Sequence, residues 1–355
     1  MKIGIAFDLA PTDPALRNEG PDDRFEEFDK PETVEAIAGV IRGEGHEVLL
    51  LGDGRDFLTR VLADPPDFVF NIAEGEGVGR SREARVPAFL EMLGIPYSGS
   101  DPMTLSASLD KVMAKRLVQT GSDVRFPRGW TLSADPAEGG AAILGLLFDD
   151  SDAVGRRGDA DEMPPLILKP TIEGSSKGIR GKCLARDVDE AVAIYEELAT
   201  SYAQPILAEE FIAGDEVTVG LIGNNLGNRG GNSYVIGSML IKPRHPDEAF
   251  IYSLEVKRDY KNRVVYETPP DLSDPILAAL TLAALDVSTA LQCRDLARID
   301  FRVRDGIPYF IEANPLPGLA PETSDLVILA QGYGIEYPDL IRRVLHAALM
   351  RVGLK

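Results

Sequence analysis

Cysteine is nearly absent from this chain of 355 residues: Cys183 and Cys293 are the only two, far apart, too few for a disulfide framework or a cysteine metal site. Both read as inert core thiols. Histidine is equally scarce, and His46, His245 and His346 form no spaced cluster, so they read as surface or packing residues. Positive charge is in short supply, with 37 Lys and Arg against 57 Asp and Glu and a formal net charge of −20. That balance argues against nucleic acid as a partner, because binding a phosphate backbone relies on counterion release from a basic surface. No apolar run approaches the roughly 20 residues needed to cross a bilayer. The opening MKIGIAFDLA reads as a buried first strand rather than a cleaved leader. A cytoplasmic protein with no membrane partner is expected.

What is present is a globular composition, 44% apolar and 26% charged. The length exceeds one ordinary core, which stops growing near roughly 250 residues, so two or three packed domains are expected. Residues 1–101 read as α/β around a parallel sheet: a first strand, a polar loop, an amphipathic helix with Val34, Ile37, Ala38 and Ile41 in register, and further strands up to Asp67–Ile72. Residues 102–205 read as a smaller α+β unit. It starts with a helix carrying Lys111 and Lys115, and residues 134–163 are an insertion rich in Gly, Asp and Ala. Residues 206–355 hold further strands, an irregular segment from Asn224 to Asn232, a helix from Ile276 to Leu291 and a hairpin from Leu296 to Asn314. A final helix there places Leu340, Ile341, Val344, Leu345, Ala348 and Leu349 on one stripe, which is expected to pack on the last domain.

The hairpin is the most informative segment. Ala297, Ile299, Phe301 and Val303 alternate strictly with Arg298, Asp300, Arg302 and Arg304, so one face is apolar and the other charged. In the returning strand Ile311 and Ala313 share the apolar face, leaving Glu312 and Asn314 polar. A three-residue loop at Asp305, Gly306 and Ile307 would set Asp300 opposite Glu312. Facing carboxylates repel unless a cation lies between them, and an all-oxygen set of two carboxylates and an amide suits magnesium. The other reading, a solvated face neutralised by Arg298 and Arg302, leaves Asn314 and the stiff exit Pro315–Gly318 unexplained.

Two further segments bear on chemistry. LILKPTIEGSSKG, residues 166–178, runs a strand into a Gly and Ser loop whose backbone N–H groups and hydroxyls could meet phosphate oxygens, with Lys169 and Lys177 as charge partners. An ordinary hairpin loop accounts for the same pattern, and the spacing is not that of a Walker A loop. LAEEFIAGDEVTV, from Leu207, carries exposed-looking Glu209, Glu210 and Glu216 around a turn at Gly214.

In order and spacing, KPTIEGSSKG, LAEEFIAGDEVTV, LEVKRDY, ARIDF and IEANPLPG resemble the D-alanyl-D-alanine ligase branch of the ATP-grasp superfamily over roughly residues 90–350, and YSGSDPMTLSASLDK resembles the segment that ends in that family's Asp-Lys pair. The resemblance implies an ATP-grasp fold, in which an N-terminal Rossmann-like preATP-grasp domain precedes two α+β subdomains that sandwich ATP. It implies a ligase that activates a carboxylate as an acyl phosphate and joins it to an amine. ATP and magnesium would be the cofactors, with two ions and manganese as a substitute, and the protein would be a homodimer acting on amino acids. Carried over, Lys111 and Lys169 would hold the α and β phosphates. Glu209, Glu210, Phe211 and Ile212 would read the adenine edge and Glu216 the ribose. The loop of Glu173, Gly174, Ser175, Ser176 and Gly178 would close over the triphosphate, with Ser175 catalytic, and Lys257 would reach the γ phosphate. Asp300, Glu312 and Asn314 would bind magnesium, and Arg298 would stabilise the acyl phosphate and the tetrahedral adduct. On the substrate side stand Glu74, Arg258, Tyr260, Arg298, Gly318 and Thr323.

Departures from the family pattern fall where amino acids would bind. The glutamate that holds the first substrate's ammonium has no clear counterpart; Glu26, Glu27 and Asp29 are the candidates. The histidine-glycine pair reads Glu74-Gly75, and Arg258 follows Lys257 where a tyrosine is usual, with Tyr260 nearby. An Arg at that place favours a larger or more anionic substrate. Alternatives are a ligase of another amino acid, peptide or small carboxylate, and a nucleotide-binding module without catalysis.

Overall fold

The computed structural model describes residues 1–11, 21–135, 164–224, 234–245 and 250–354. The insertion expected over 134–163 and the irregular segment expected after Asn224 fall almost wholly outside the described residues. Strands β1 (Lys2–Ala6), β2 (Glu47–Gly52) and β3 (Phe68–Asn71) form a parallel sheet in the order β2-β1-β3. Helix α1 (Pro31–Gly43) starts with proline, whose missing N–H costs nothing at a helix start, and buries Val34, Ile37, Ala38 and Ile41 as the periodicity predicts. Helices α2 (Gly54–Ala63) and α3 (Arg85–Leu93) follow β2 and β3; α3 stops at Gly94, whose φ of 67° suits a left-handed cap.

The single helix expected after Thr104 is two. Helix α4 (Pro102–Leu109) ends at Asp110, whose extended backbone breaks the run and whose carboxylate accepts from the Val112 and Met113 N–H groups to start α5 (Lys111–Gly121). Strands β4 (Gly129–Leu132), β5 (Leu166–Pro170), β6 (Leu184–Ala185) and β7 (Ile206–Glu210) make an antiparallel sheet in the order β4-β7-β5-β6. Because β7 pairs with β4 and β5, the chain changes sheet after Glu210, five residues beyond the expected boundary at 205/206. Helix α6 (Val188–Tyr202), capped by Asp187, packs Tyr195, Leu198 and Tyr202 with Trp130 and Leu168 of that sheet.

The third sheet is antiparallel, in the order β10-β9-β8-β11-β12, from β8 (Asp215–Ile222), β9 (Tyr234–Pro243), β10 (Val264–Glu267), β11 (Leu296–Arg304) and β12 (Ile307–Asn314). Two short helices, α7 (Leu254–Arg258) and α8 (Tyr260–Arg263), join β9 to β10. Helix α9 (Asp274–Leu291), with a mean hydropathy of 1.4, is the one described helix apolar and long enough to compare with a bilayer span. Its Leu280, Ala284, Val287 and Leu291 instead pack with Ile299 and Phe301 of β11 and with Val112 and Val118 of α5. Helices α10 (Asp325–Gly332) and α11 (Tyr337–Arg351) end the chain. All six residues of the expected α11 stripe are buried, but they share a core with Ile37 and Ile41 of α1 and with β1 as well as with α10. The C-terminal helix therefore ties the first unit to the last.

Candidate active site

The β11–β12 hairpin pairs Asp300 with Glu312 and Arg298 with Asn314, and it does so by a route other than the expected loop. The turn has two residues, Asp305 (φ 54°) and Gly306 (φ 74°), both left-handed as a primed turn matching strand twist requires. A bulge between Asp300 and Phe301 then restores the register, because Phe301 faces Phe310 and Ile311 is the extra residue. Ile311 is thereby moved out of the apolar face, where it was expected, into a cleft beside Glu312. Asp300 accepts from Thr218 Oγ1 at 2.6 Å, Arg298 Nη2 at 2.8 Å and Asn314 Nδ2 at 3.1 Å. Burial opposes ionisation of Glu312, but Lys111, Lys169, Arg298 and Lys257 outweigh it and hold the carboxyl well below the usual carboxylate range. Among the described residues no three His, Cys, Asp or Glu side chains group to cage a metal ion. Two carboxylates and an amide oxygen on one sheet edge instead suit a hard cation that takes its remaining ligands from water and phosphate.

That edge lines a cleft between the β4-β7-β5-β6 sheet and the five-stranded sheet, bordered by Lys169, Glu210, Phe211, Ile212, Glu216 and Lys257. Lys257 Nζ lies 5.2 Å from the centre of the Tyr252 ring. Glu209 reads as an exposed carboxylate in the sequence, yet it is 1% exposed and ion-paired with Lys115 and with Lys169, the latter at 2.6 Å. Burial pushes the Lys115 ammonium down to about 8 although Glu209 opposes the shift, and the two lysines overcome burial to hold Glu209 low. Two ammoniums on one carboxylate leave positive charge at the cleft wall. Glu210 pairs with Arg304 at 2.8 Å and Glu216 with Arg302 at 2.9 Å, while the Arg302 guanidinium lies over the Phe211 ring and its Nε donates to the Ile212 carbonyl.

A second cavity adjoins the cleft, and Arg298 and Glu312 line both. Ser175 and Ser176 are both left-handed, at φ 50° and 60°, and the twist sends Ser175 to the second cavity and Ser176 to the cleft. Glu74, Glu173, Gly174, Asn314 and Gly318 line this cavity as well. Lys111 does too: its ammonium donates to the Glu173 carbonyl and lies 3.2 Å from Glu312. Of the three N-terminal acids considered, Glu27 alone reaches it, its carboxylate held by Arg82 at 2.9 Å and Lys177 at 2.6 Å. A side chain at Gly174 would run into the Glu27 carboxylate, so glycine permits that approach. Asp29 lies elsewhere, bridged to Leu9, with its carboxyl pushed up by burial to about 7.

Several expectations are corrected. Arg258 pairs with Asp22 at 2.9 Å and Glu26 at 2.8 Å, which neutralises the charge behind the expected anionic substrate and also occupies Glu26. Tyr260 packs against Tyr266, 6.0 Å between ring centres, and Tyr252 takes the place in the cleft, with its hydroxyl 3.1 Å from Asp325. Thr323 is exposed on its loop, and Asp325 reaches the cleft instead, 3.2 Å from Arg298. The Gly178 N–H is spent on Asp23, and Lys177 on Glu27 and Glu173, so neither is free for phosphate. Thr218 was legible, since it shares the face of Glu216 at a spacing of two on β8. Lys115, Tyr252, Arg82 and Asp325 carry no local signal, because each is recruited by a partner distant in sequence.

A family described as D-ala D-ala ligase C-terminus matches residues 153–346. D-alanine–D-alanine ligase of Bordetella petrii is 31% identical over 87% of this chain and 84% of its own length, and that of Moorella thermoacetica is 29% identical over 88% and 92%. Among solved structures, the D-alanine–D-alanine ligase from Bacillus anthracis complexed with ATP has a TM-score of 0.69 at 21% identity, covering 99% of this chain and 97% of that one. VanG D-Ala:D-Ser ligase from Enterococcus faecalis has a TM-score of 0.70 at 19% identity, covering 98% and 99%. The extent of the family match and the identity to its members show that this chain belongs to the D-alanine–D-alanine ligase family of the ATP-grasp superfamily, ATP- and magnesium-dependent ligases that form C–N bonds.

Proposed function

We propose that the chain phosphorylates the carboxylate of an amino-acid-like substrate with ATP in the cleft and passes the resulting acyl phosphate to an amine in the second cavity, as a cytoplasmic homodimer. The observation that carries this reading is that Arg298 and Glu312 line both cavities, so the γ phosphate and the acceptor can meet across one wall. A free carboxylate is a poor acyl donor because oxide would have to leave; a mixed anhydride with phosphate has a good leaving group. In this reading Lys169 faces the α and β phosphates from the cleft and Lys111 reaches them from the second cavity, beside Glu312; Lys257 faces the γ phosphate, and residues 209–212 with Glu216 bound the nucleoside, Glu209 acting by holding Lys169. Magnesium, held by Asp300, Glu312 and Asn314, would supply charge neutralisation to the transferring phosphoryl group. Arg298, fixed by Asp300 and Asp325, presents its charge where the acyl phosphate forms. Ser175 and the loop from Glu173 to Gly178 shield the junction from water, and the central unit with that loop closes on the C-terminal unit. The Arg258 pairing removes the case for an anionic acceptor, and no observation favours an inactive module.

The test is ATP turnover across an amino-acid panel, with hydroxylamine to trap the acyl phosphate. Amino-acid-dependent phosphate release and hydroxamate formation are expected, and Glu312→Gln should lower kcat/KM about a hundredfold or more, roughly 2.7 kcal/mol of transition-state stabilisation. Unchanged turnover in that variant would remove Glu312 from the mechanism, and a panel with no turnover would remove the ligase.

A further inference from the structure

We propose that the second cavity takes a diamino carboxylic acid, a substrate with two ammonium groups, and that Glu74, Glu83 and Ser108 determine this specificity; the inference rests on the ligase reading above. Most of the charges that face the cavity are already paired. Glu27 is held by Arg82 and Lys177, Glu173 by Lys177 and Gln204, and Glu312 by Lys111. Arg298 is committed to Asp300 and Asp325. Glu74 and Glu83 line the same cavity and have neither an ion pair nor a side-chain hydrogen bond among the described residues. Among the described residues two carboxylates are therefore left over.

A separate observation points to a ligand. Ser108, on α4, lines the cavity, is 4% exposed, and its hydroxyl has no hydrogen-bond partner among the described residues. A buried hydroxyl left unpaired costs free energy unless a ligand completes it. The two carboxylates carry a similar cost. Burial, then repulsion from Glu83 and Glu27, raises Glu74 well above the carboxylate range, and burial raises Glu83 to about 8 against the pull of Arg82.

The orientation follows from Arg298 and Glu312, which line both cavities, with Lys111 3.2 Å from Glu312, so a substrate carboxylate to be phosphorylated belongs at that junction. The ammonium groups of the same molecule then extend toward Glu74 and Glu83, and Ser108 Oγ accepts from one of them. An ordinary zwitterion as donor supplies one ammonium, and the acceptor's amine must stay unprotonated at the junction to attack the acyl phosphate, so one of the two surplus carboxylates would be left without a partner. A diamino acid matches both.

The experiment uses the full chain with ATP and magnesium and compares ornithine with norleucine, its neutral isostere, each as D and L forms, and with alanine. A kcat/KM for ornithine at least about tenfold above norleucine is expected, the scale of one charge-assisted hydrogen bond. Glu74→Gln and Glu83→Gln should each reduce that ratio about tenfold, with ATP affinity measured on the same samples as the check on folding. Ser108→Ala, which removes no charge, should lower kcat/KM for ornithine severalfold. If norleucine or alanine drives turnover as well as ornithine does, the diamino proposal fails while the ligase stands. Variants that keep the full ratio overturn the assignment of these residues. A panel in which no amino acid drives turnover overturns the ligase reading and this inference with it.

Discussion

Glu83 and Glu312 are both carboxylates at the wall of one cavity, yet their neighbours drive them in opposite directions. Glu312 faces Lys111, Lys169, Arg298 and Lys257 and is held ionised; Glu83 has its charge opposed by burial and by Glu27, with Arg82 as the main counterweight. This gives a stability prediction with a definite sign. Because the folded-state value of Glu83, about 8, lies above the ordinary value of 4.5, the folded protein binds more protons between those limits, and stability falls as pH rises through that window. Glutamine cannot ionise and escapes the loss. Glu83→Gln should therefore raise Tm at pH ~8 and leave it nearly unchanged near pH ~4.5. Equal melting of the two proteins at the higher pH would show that the carboxylate is not penalised by its surroundings.

At the scale of elements, one residue decides where Lys111 sits. Asp110 ends α4, caps α5 through two backbone N–H groups, and so places Lys111 at the first position of a new helix with its ammonium on the Glu173 carbonyl. Asp110→Ala should cost about 1 kcal/mol in urea unfolding, and Asp110→Asn, which keeps an accepting oxygen, should recover most of it. If asparagine is as harmful as alanine, the contribution comes from the ion pair with Arg80 rather than from the cap. The hairpin carries a related lesson. Turn type and bulge compensate one another, so the pairing of Asp300 with Glu312 read from alternation is present although the turn that produces it is one residue shorter.

At the scale of the molecule, the cleft lies between two sheets and is lined by residues of both, so a ligand there bridges them. Saturating ATP analogue at about a hundredfold over Kd should stabilise the fold by roughly 2.7 kcal/mol, with a Tm that climbs with ligand concentration. GTP at the same concentration should do far less, since a site built on buried hydrogen bonds to one base edge leaves them unpaired with the other. Matching thermal shifts for the two nucleotides would contradict residues 209–212 as the base-reading segment.

Much of the site was legible because its logic is local. Period-two alternation assigns Arg298, Asp300 and Arg302 to one face of β11, and β12 returns Glu312 and Asn314 beside them within a few residues. The run from Leu166 into the glycine-serine loop marks Lys169 in the same way, and the α11 stripe follows from helical periodicity alone. The order of these segments also identifies the family. The substrate side was not legible, because periodicity assigns a side chain to a face and says nothing about which distant charge will meet it. Arg258 reads as free until Asp22 and Glu26, more than 200 residues earlier, are folded onto it. Glu209 reads as exposed until Lys115 closes over it, and Glu27 as one of three equivalent acids until Arg82 and Lys177 bury it. The sequence by itself determined the candidate nucleotide residues, which cluster along single strands and loops. Only the tertiary structure decided which carboxylates are neutralised and which face the second cavity, since burial and long-range pairing set the sign and cost of each charge.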